Sequence, residues 1–407
     1  MHAQGFTSVS PDQADIILLN TCGFIQAAVE ESLERILELA DYKKGRATKL
    51  VMMGCLTQRY QEELTLELPE VDLFIGTGYL EEMNEILLNP TKRVYLDQRD
   101  APETDHVFPL ISSPSYSYLK IAEGCDNFCS YCIIPKLRGP FRSRTIDSLV
   151  EQARQVAKQG IREIILIAQD TSRFGSDTSQ GDLLDLLKRL QDVEGIEWIR
   201  LQYLYPDILD RHFFETVRDL PKVLPYFDMP IQHVSNSVLK RMNRHTTKEN
   251  LIEVIKLARE ILPEATLRTT VIVGFPGETD AEFAELMQFI SDHPFDRLGA
   301  FMYSDEEESA SYRLPDKIDD ETKQHRLNQL MDRQMEISQE RLTRRVGQML
   351  PVMIDVGGKE PIGRTMYDAP EVDGVVDIQT TKRLKKGQIV SVRITGSSEH
   401  DLIGEVV

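Results

Sequence analysis

The sequence predicts an α/β protein in three parts: a small parallel α/β domain, a partial (β/α)6 barrel, and a small antiparallel β domain. Three observations carry that expectation. Short apolar runs alternate with helical-period segments early in the chain, which is the pattern of parallel strands joined by helices. A strand-then-helix unit then repeats six times, too few for a closed eight-fold barrel. Beyond Met349 the pattern changes to short strands between Gly-rich turns.

In the first part, residues 14–19, 49–53 and 72–76 read as buried strands, with helices over 26–40, 58–68 and 79–88. Residues 97–114, enriched in Asp, Pro, Ser and Glu, read as a linker. The barrel strands are expected over 117–122, 163–168, 198–205, 226–231, 266–273 and 297–303. Helices follow over 146–158, 183–191, 209–218, 250–261 and 281–291. The charged stretch 319–347, with Leu327, Leu330, Met335 and Leu342 spaced along it, reads as a long surface helix. Four strands complete the chain over 349–356, 374–378, 389–394 and 403–407. The expected domains are therefore 1–96, 115–346 and 347–407.

Composition narrows the function classes. The 407 residues carry a formal net charge of -19, so a phosphate backbone would be repelled and a basic protein partner attracted. A nucleic-acid substrate is disfavoured. Residues 347–407 hold 7 Lys+Arg and 9 Asp+Glu, a balance of 7 - 9 = -2, without the basic excess of an RNA-binding module. No apolar run is long enough to span a membrane, and the first residues lack the basic and apolar regions of a secretory signal. A cytoplasmic protein is expected. Five cysteines are too few for a disulfide framework in so long a chain, and their grouping suggests metal in a reducing compartment.

Three of those cysteines carry the most chemistry. Cys125, Cys129 and Cys132 are spaced C-x3-C-x2-C directly after a predicted strand, the edge at which α/β enzymes place their sites. Three thiolates without a fourth neighbouring ligand fit a four-iron cluster with one iron left open. A zinc knuckle completed by a distant residue and three reduced structural cysteines are the alternatives. Cys22 and Cys55 each follow a strand of the first part, which brings them to one carboxyl edge; the alternative is that they are small buried apolar residues. On the barrel, Gln169 and Asp170, Gln232 and His233, and the turn from Gly274 to Glu278 all follow strands. Arg268 points inward from a strand, where it could pair with a ligand carboxylate or form a structural ion pair. His233 reads as a satisfied polar residue at a strand end.

The cysteine spacing, with Tyr131 just before the last cysteine, resembles that of the radical S-adenosylmethionine (SAM) enzymes. Asn20-Thr-Cys22-Gly-Phe24, Gly54-Cys55-Leu56, the run from Cys132 to Gly139, the run from Met229 to His233 and the run from Val273 to Thr279 are similar to the methylthiotransferase branch. That resemblance implies a flavodoxin-like N-terminal domain, a radical-SAM partial (β/α)6 barrel and a TRAM-like C-terminal domain. It implies SAM and two 4Fe-4S clusters as cofactors. Cys125, Cys129 and Cys132 would hold the first cluster, and Cys22 and Cys55 would serve the second. Tyr131, Gln169, Gln232, Arg268, Gly274 and Glu278 are the implied SAM-pocket residues.

The most similar branch adds a methylthio group to the β-carbon of an aspartate on the twelfth small-subunit ribosomal protein, with electrons from a donor such as a flavodoxin or ferredoxin. The alternatives are methylthiolation of adenosine in transfer RNA, and binding of the ribosomal protein without catalysis. Family members carry a third cysteine in the first domain, in a loop after an earlier strand. The expectation is therefore that an N-terminal segment bearing it precedes Met1.

Overall fold

The computed structural model describes residues 6–43, 48–61, 63–79, 82–96 and 113–407. Most of the expected linker, residues 97–112, lies outside them. The chain forms two compact units. Met1–Pro102, Gly124–Phe141 and Ser304–Tyr312 make the first, and Glu103–Glu123, Arg142–Tyr303 and Arg313–Val407 make the second. The chain thus returns twice to its first unit, a long-range arrangement that no local pattern encodes.

In the first unit, β1 (Ile16–Thr21), β2 (Lys49–Gly54), β3 (Leu73–Ile75) and β4 (Val94–Tyr95) form a parallel sheet in sequence order. Strand alternation divides its apolar residues between two layers. Leu50, Met52 and Phe74 pack with Val29, Ile36 and Leu39 of α1 (Gln26–Ala40). Val51, Leu73 and Ile75 pack with Met83, Ile86 and Leu87 of α4 (Met83–Leu88). The single helix expected over 58–68 is instead α2 (Cys55–Tyr60) and α3 (Glu63–Glu67). Gln61, in the left-handed region at φ 47°, ends α2 and accounts for the break. A further short helix, α5 (Ile134–Arg138), lies in the returning segment 124–141.

The second unit contains β5 (Tyr116–Lys120), the pair β6 (Ala122–Glu123) and β7 (Arg142–Ser143), and then the repeating units. These run α6 (Ile146–Lys158), β8 (Glu163–Ile167), α7 (Leu183–Gln191), β9 (Trp198–Leu201), α8 (Arg211–Arg218) and β10 (Val223–Asp228). After α9 (Asn236–Arg241) come α10 (Lys248–Ile261), β11 (Thr266–Val273), α11 (Asp280–Asp292), β12 (Arg297–Met302) and α12 (Asp320–Thr343). The six parallel strands are ordered β5-β8-β9-β10-β11-β12. Thr145, Asp182, Asp210, Thr247, Thr279 and Asp319 each cap the following helix by accepting a first-turn backbone N–H. Those caps fix the helix starts. The strand expected over 198–205 stops at Leu201, because the N–H groups of Tyr203 and Leu204 turn to Asp228.

The remainder of the second unit is a closed barrel of five strands: β13 (Met349–Val356), β14 (Ile362–Thr365), β15 (Val376–Gln379), β16 (Ile389–Ser397) and β17 (Leu402–Val406). Leu350, Val352, Ile354, Val376, Val392 and Leu402 fill it. Four strands were expected, and the short Gly-containing β14 completes the closure. Met353 and Ala369 share an apolar cluster with Trp198, Leu224 and Tyr226 of the parallel sheet. Buried ions reinforce that junction. Glu163 lies between Arg200, at 2.8 Å, and Arg364, and Arg297 meets Asp368 at 2.5 Å. Glu371 accepts from the hydroxyls of Tyr116 (2.7 Å) and Tyr118 (3.2 Å).

Candidate metal and cofactor sites

Two cysteines of the first unit lie at neighbouring strand ends. Thr21 of β1 pairs with Gly54 of β2, so Cys22 and Cys55 are each the first residue beyond strands that run about 4.8 Å apart. Glycine permits this closeness. Gly54 has φ +106°, and a Cβ there would lie 2.6 Å from both Asn20 Oδ1 and Thr21 O. A Cβ on Gly23 would lie 2.7 Å from Leu56 Cα, so the two cysteine-bearing turns touch through backbone. Cys22 is exposed, whereas Cys55 is buried against Phe24, Ile133 and Leu137.

Ile133 and Leu137 belong to the same segment of the first unit as the three-cysteine loop. Within that loop, Cys125 N–H donates to Gly139 O (3.3 Å) and Phe141 N–H to Asp126 Oδ1 (3.2 Å). Cys132 N–H donates to Cys129 O at 3.0 Å, and Ile134 N–H to Cys132 Sγ at 3.5 Å. Phe128, at φ 50°, is 60% exposed. Burial pushes the Cys132 thiol up to about 12, with Cys129 and Cys125 adding to the rise and the Ile134 N–H opposing it. Cys132 is thus near enough to both other thiols to feel them. Among the described residues, no three Cys, His, Asp or Glu side chains converge as they would on one metal ion. Three thiolates from one loop are the donor set of a four-iron cluster with one iron left open.

In the second unit, the residues beyond the parallel strands carry unusual backbone. Tyr203 (φ 61°), Gln232 (φ 67°) and Gly274 (φ 73°) follow β9, β10 and β11 in the left-handed region. Such conformations concentrate at ligand sites. The N–H and C=O of Gln232 bond to Thr270 and Ile272 at 2.8 Å each. Gln169, after β8, has a buried Oε1 without a hydrogen-bond partner. Asp170 beside it accepts from Ser172 Oγ (2.6 Å) and meets Arg173 at 3.3 Å.

Glu278 is turned inward. Its Oε2 accepts the N–H groups of Gly274 and Phe275, and its Oε1 lies 3.4 Å from Arg326 Nη1 and 4.0 Å from His233 Nε2. Burial raises its pKa to about 7, against the pull of Arg326 and the two backbone donors. His233 Nδ1 accepts from Ser235 N–H (3.0 Å), so the ring proton is on Nε2, facing Glu278. Burial lowers this histidine to about 3. Arg268 Nη1 meets Asp228 Oδ1 at 2.8 Å and its Nε meets Asp373 Oδ1 at 3.4 Å.

Comparison with known proteins accounts for all three parts of the chain. The Radical SAM superfamily matches residues 119–290, the TRAM domain residues 346–407, and the uncharacterized protein family UPF0004 residues 1–76. The ribosomal protein uS12 methylthiotransferase RimO of Clostridioides difficile (strain 630) is 43% identical over 404 residues, covering 97% of this chain and 91% of that protein. The protein of the same name from Syntrophotalea carbinolica (strain DSM 2380 / NBRC 103641 / GraBd1) is 46% identical over 406 residues, covering 97% and 89%. The chain belongs to the radical-SAM methylthiotransferase family. Among solved structures, the radical S-adenosylmethionine methyltransferase TsrM from Kitasatospora setae superposes with a TM-score of 0.52 at 13% identity, over 70% of this chain and 62% of that one. At that identity the likeness concerns the fold.

For a radical-SAM methylthiotransferase, the site residues expected from sequence occupy two settings. Cys22, Cys55, Cys125, Cys129, Tyr131 and Cys132 lie in the first unit; Gln169, Gln232, Arg268, Gly274 and Glu278 lie in the second. Arg268 has its guanidinium paired with two carboxylates, Asp228 and Asp373. Glu278 braces the turn it ends, and His233 is fully buried. Sequence reasoning missed Tyr203, whose aromatic ring blended into an apolar strand run. It also missed Arg59, Glu306 and Glu308, which meet only in three dimensions. Arg59 Nη1 lies 2.9 Å from Glu306 Oε2, and its Nε lies 3.2 Å from Glu308 Oε1.

Proposed function

We propose that this chain adds a methylthio group to the β-carbon of an aspartate on the small-subunit ribosomal protein uS12. The observation that carries the proposal is near-full-length identity to relatives named for that reaction. The two sets of cysteines within one unit support it. Cys125, Cys129 and Cys132 would hold a 4Fe-4S cluster with one iron free of protein ligands, and Cys22 and Cys55 would serve a second. With SAM bound, these groups supply one-electron cleavage of the sulfonium and removal of hydrogen from an unactivated carbon.

The chain's own residues bind and orient. Glu278 ties down the N–H groups of Gly274 and Phe275 and so holds the turn in which glycine lets a ligand approach the backbone. Gln169 offers its unpartnered Oε1 to a donor on SAM, such as its ammonium group or adenine amine. Gln232 presents its side chain from a backbone locked to β11. In the first unit, Tyr131 adjoins Cys132 in sequence and would be an aromatic neighbour of the cluster that the loop would hold. The charge of -19 draws a basic protein substrate toward the enzyme, and a small flavodoxin or ferredoxin supplies electrons.

The test is anaerobic incubation of the reconstituted protein with SAM, reductant and uS12, followed by intact-mass measurement. The expected gain is about 46 Da, a methylthio group replacing hydrogen. A modified adenosine in digests of transfer RNA, with uS12 unchanged, would overturn the proposal.

A further inference from the structure

One network of ion pairs and hydrogen bonds in the first unit joins every cysteine-bearing segment. Arg59 lies four residues after Cys55 on α2, is 9% exposed, and donates from Nη1 to Gly23 O, the residue after Cys22, at 2.9 Å. The same nitrogen lies 2.9 Å from Glu306 Oε2. Glu306 is itself buried, and its Oε1 accepts the backbone N–H of Gln26 (2.9 Å), the first residue of α1. A carboxylate at a helix start that lacks a side-chain cap satisfies both the free N–H and the helix dipole. Ser304 Oγ donates to the same oxygen at 2.6 Å. The segment carrying Glu306 also grips the three-cysteine loop. Lys136 Nζ donates to Glu308 O (2.5 Å), and Ser311 N–H donates to Ser130 O (2.8 Å).

We infer that Arg59 and Glu306 form a positioning pair, with Ser304–Tyr312 as a strap that fixes the Cys22 and Cys55 turns against the three-cysteine loop. Neither residue is a metal ligand. Their role is to hold the two cysteine sets at a set separation, which matters when sulfur held at one centre must meet a carbon activated at the other. Arginine suits this task because one planar group bonds a carbonyl and two carboxylates at once. The inference rests on the two-centre chemistry proposed above.

The test uses Glu306→Gln, which removes the charge and keeps the shape, and Arg59→Lys, which keeps the charge and loses the fork. In the metal-free protein, alkylation by iodoacetamide is mapped cysteine by cysteine. Cys55, buried in the wild type, is expected to react about tenfold faster relative to exposed Cys22 in Glu306→Gln, with a smaller gain in Arg59→Lys, because its helix opens locally more often. In reconstituted protein, methylthiolated uS12 formed per 5′-deoxyadenosine released is expected to fall about tenfold, a loss of coupling that a general loss of stability would not produce. An unchanged alkylation ratio together with unchanged coupling would overturn the positioning role. Wild-type protein that forms no methylthio product would count against the proposed function alone, and the alkylation ratio would then decide the inference by itself.

Discussion

At the scale of single residues, burial decides which groups are free for chemistry. Glu278 looks from its motif like a ligand contact, yet its two oxygens face backbone donors and Arg326. Its folded pKa of about 7 lies above the ordinary 4.5. The protonated form is therefore favoured by folding, and the stability tied to it is lost as pH rises from about 4.5 through 7. In thermal unfolding, the advantage of wild type over Glu278→Gln should shrink by about 3 kcal/mol between about pH 4.5 and 8. A constant difference would show that the carboxylate is ionised throughout. His233 has the opposite sign. Its pKa of about 3 lies below the unfolded value, so its contribution is lost as pH falls below about 6.5. Among the cysteines, Cys129→Ala should abolish formation of 5′-deoxyadenosine from SAM, and undiminished cleavage would remove the loop from the proposed chemistry. The three-cysteine loop was legible in the sequence because its spacing is local. The commitment of Arg268 to Asp228 and Asp373 was not, since Asp373 comes from another part of the chain.

At the scale of elements, turns with special backbone set the geometry of the first unit. Gly54 joins β2 directly to α2 in a conformation closed to other residues. Gly54→Ala should cost about 1–3 kcal/mol, read calorimetrically as a lower melting temperature, and should lower the iron bound per chain on reconstitution. An alanine variant with wild-type melting and iron content would show that the turn relaxes freely. Most barrel helices were legible because a Thr or Asp cap precedes an amphipathic run, as at Thr145 and Thr279. The strand β14 was not legible. Gly363 there answers a close approach, with a hypothetical Cβ falling 2.4 Å from Met353 O, and such a glycine looks like a turn until the neighbouring strand is known. The short helices α5 and α9 were missed as well, each too brief to display a period.

At the scale of the whole molecule, charge acts both inside and outside. Inside the second unit, Arg364 is almost wholly buried and serves Glu163 and Asp355. Arg364→Ala would leave those carboxylates poorly paired, at a cost of about 3–5 kcal/mol, measurable as a lower denaturant midpoint. Loss of under 1 kcal/mol would mean that Arg200 compensates. Outside, the net charge of -19 should make capture of a basic substrate sensitive to salt. The KM for uS12 is expected to rise about tenfold between about 0.05 and 0.3 M salt, with kcat little changed. A salt-independent KM would assign recognition to apolar contacts.

The discontinuity of the first unit also orders events during synthesis. Gln26 and Glu306, joined by a hydrogen bond, are 280 residues apart in the chain. At about 5–20 residues per second, roughly 14–56 seconds separate translation of the first helix from translation of the carboxylate that caps it. Through that interval Cys22 and Cys55 have been made but the strap has not, so their thiols wait in an unlatched unit. Cys55, buried in the finished unit, is therefore most open to solvent on the ribosome, before the strap residues are joined to the chain.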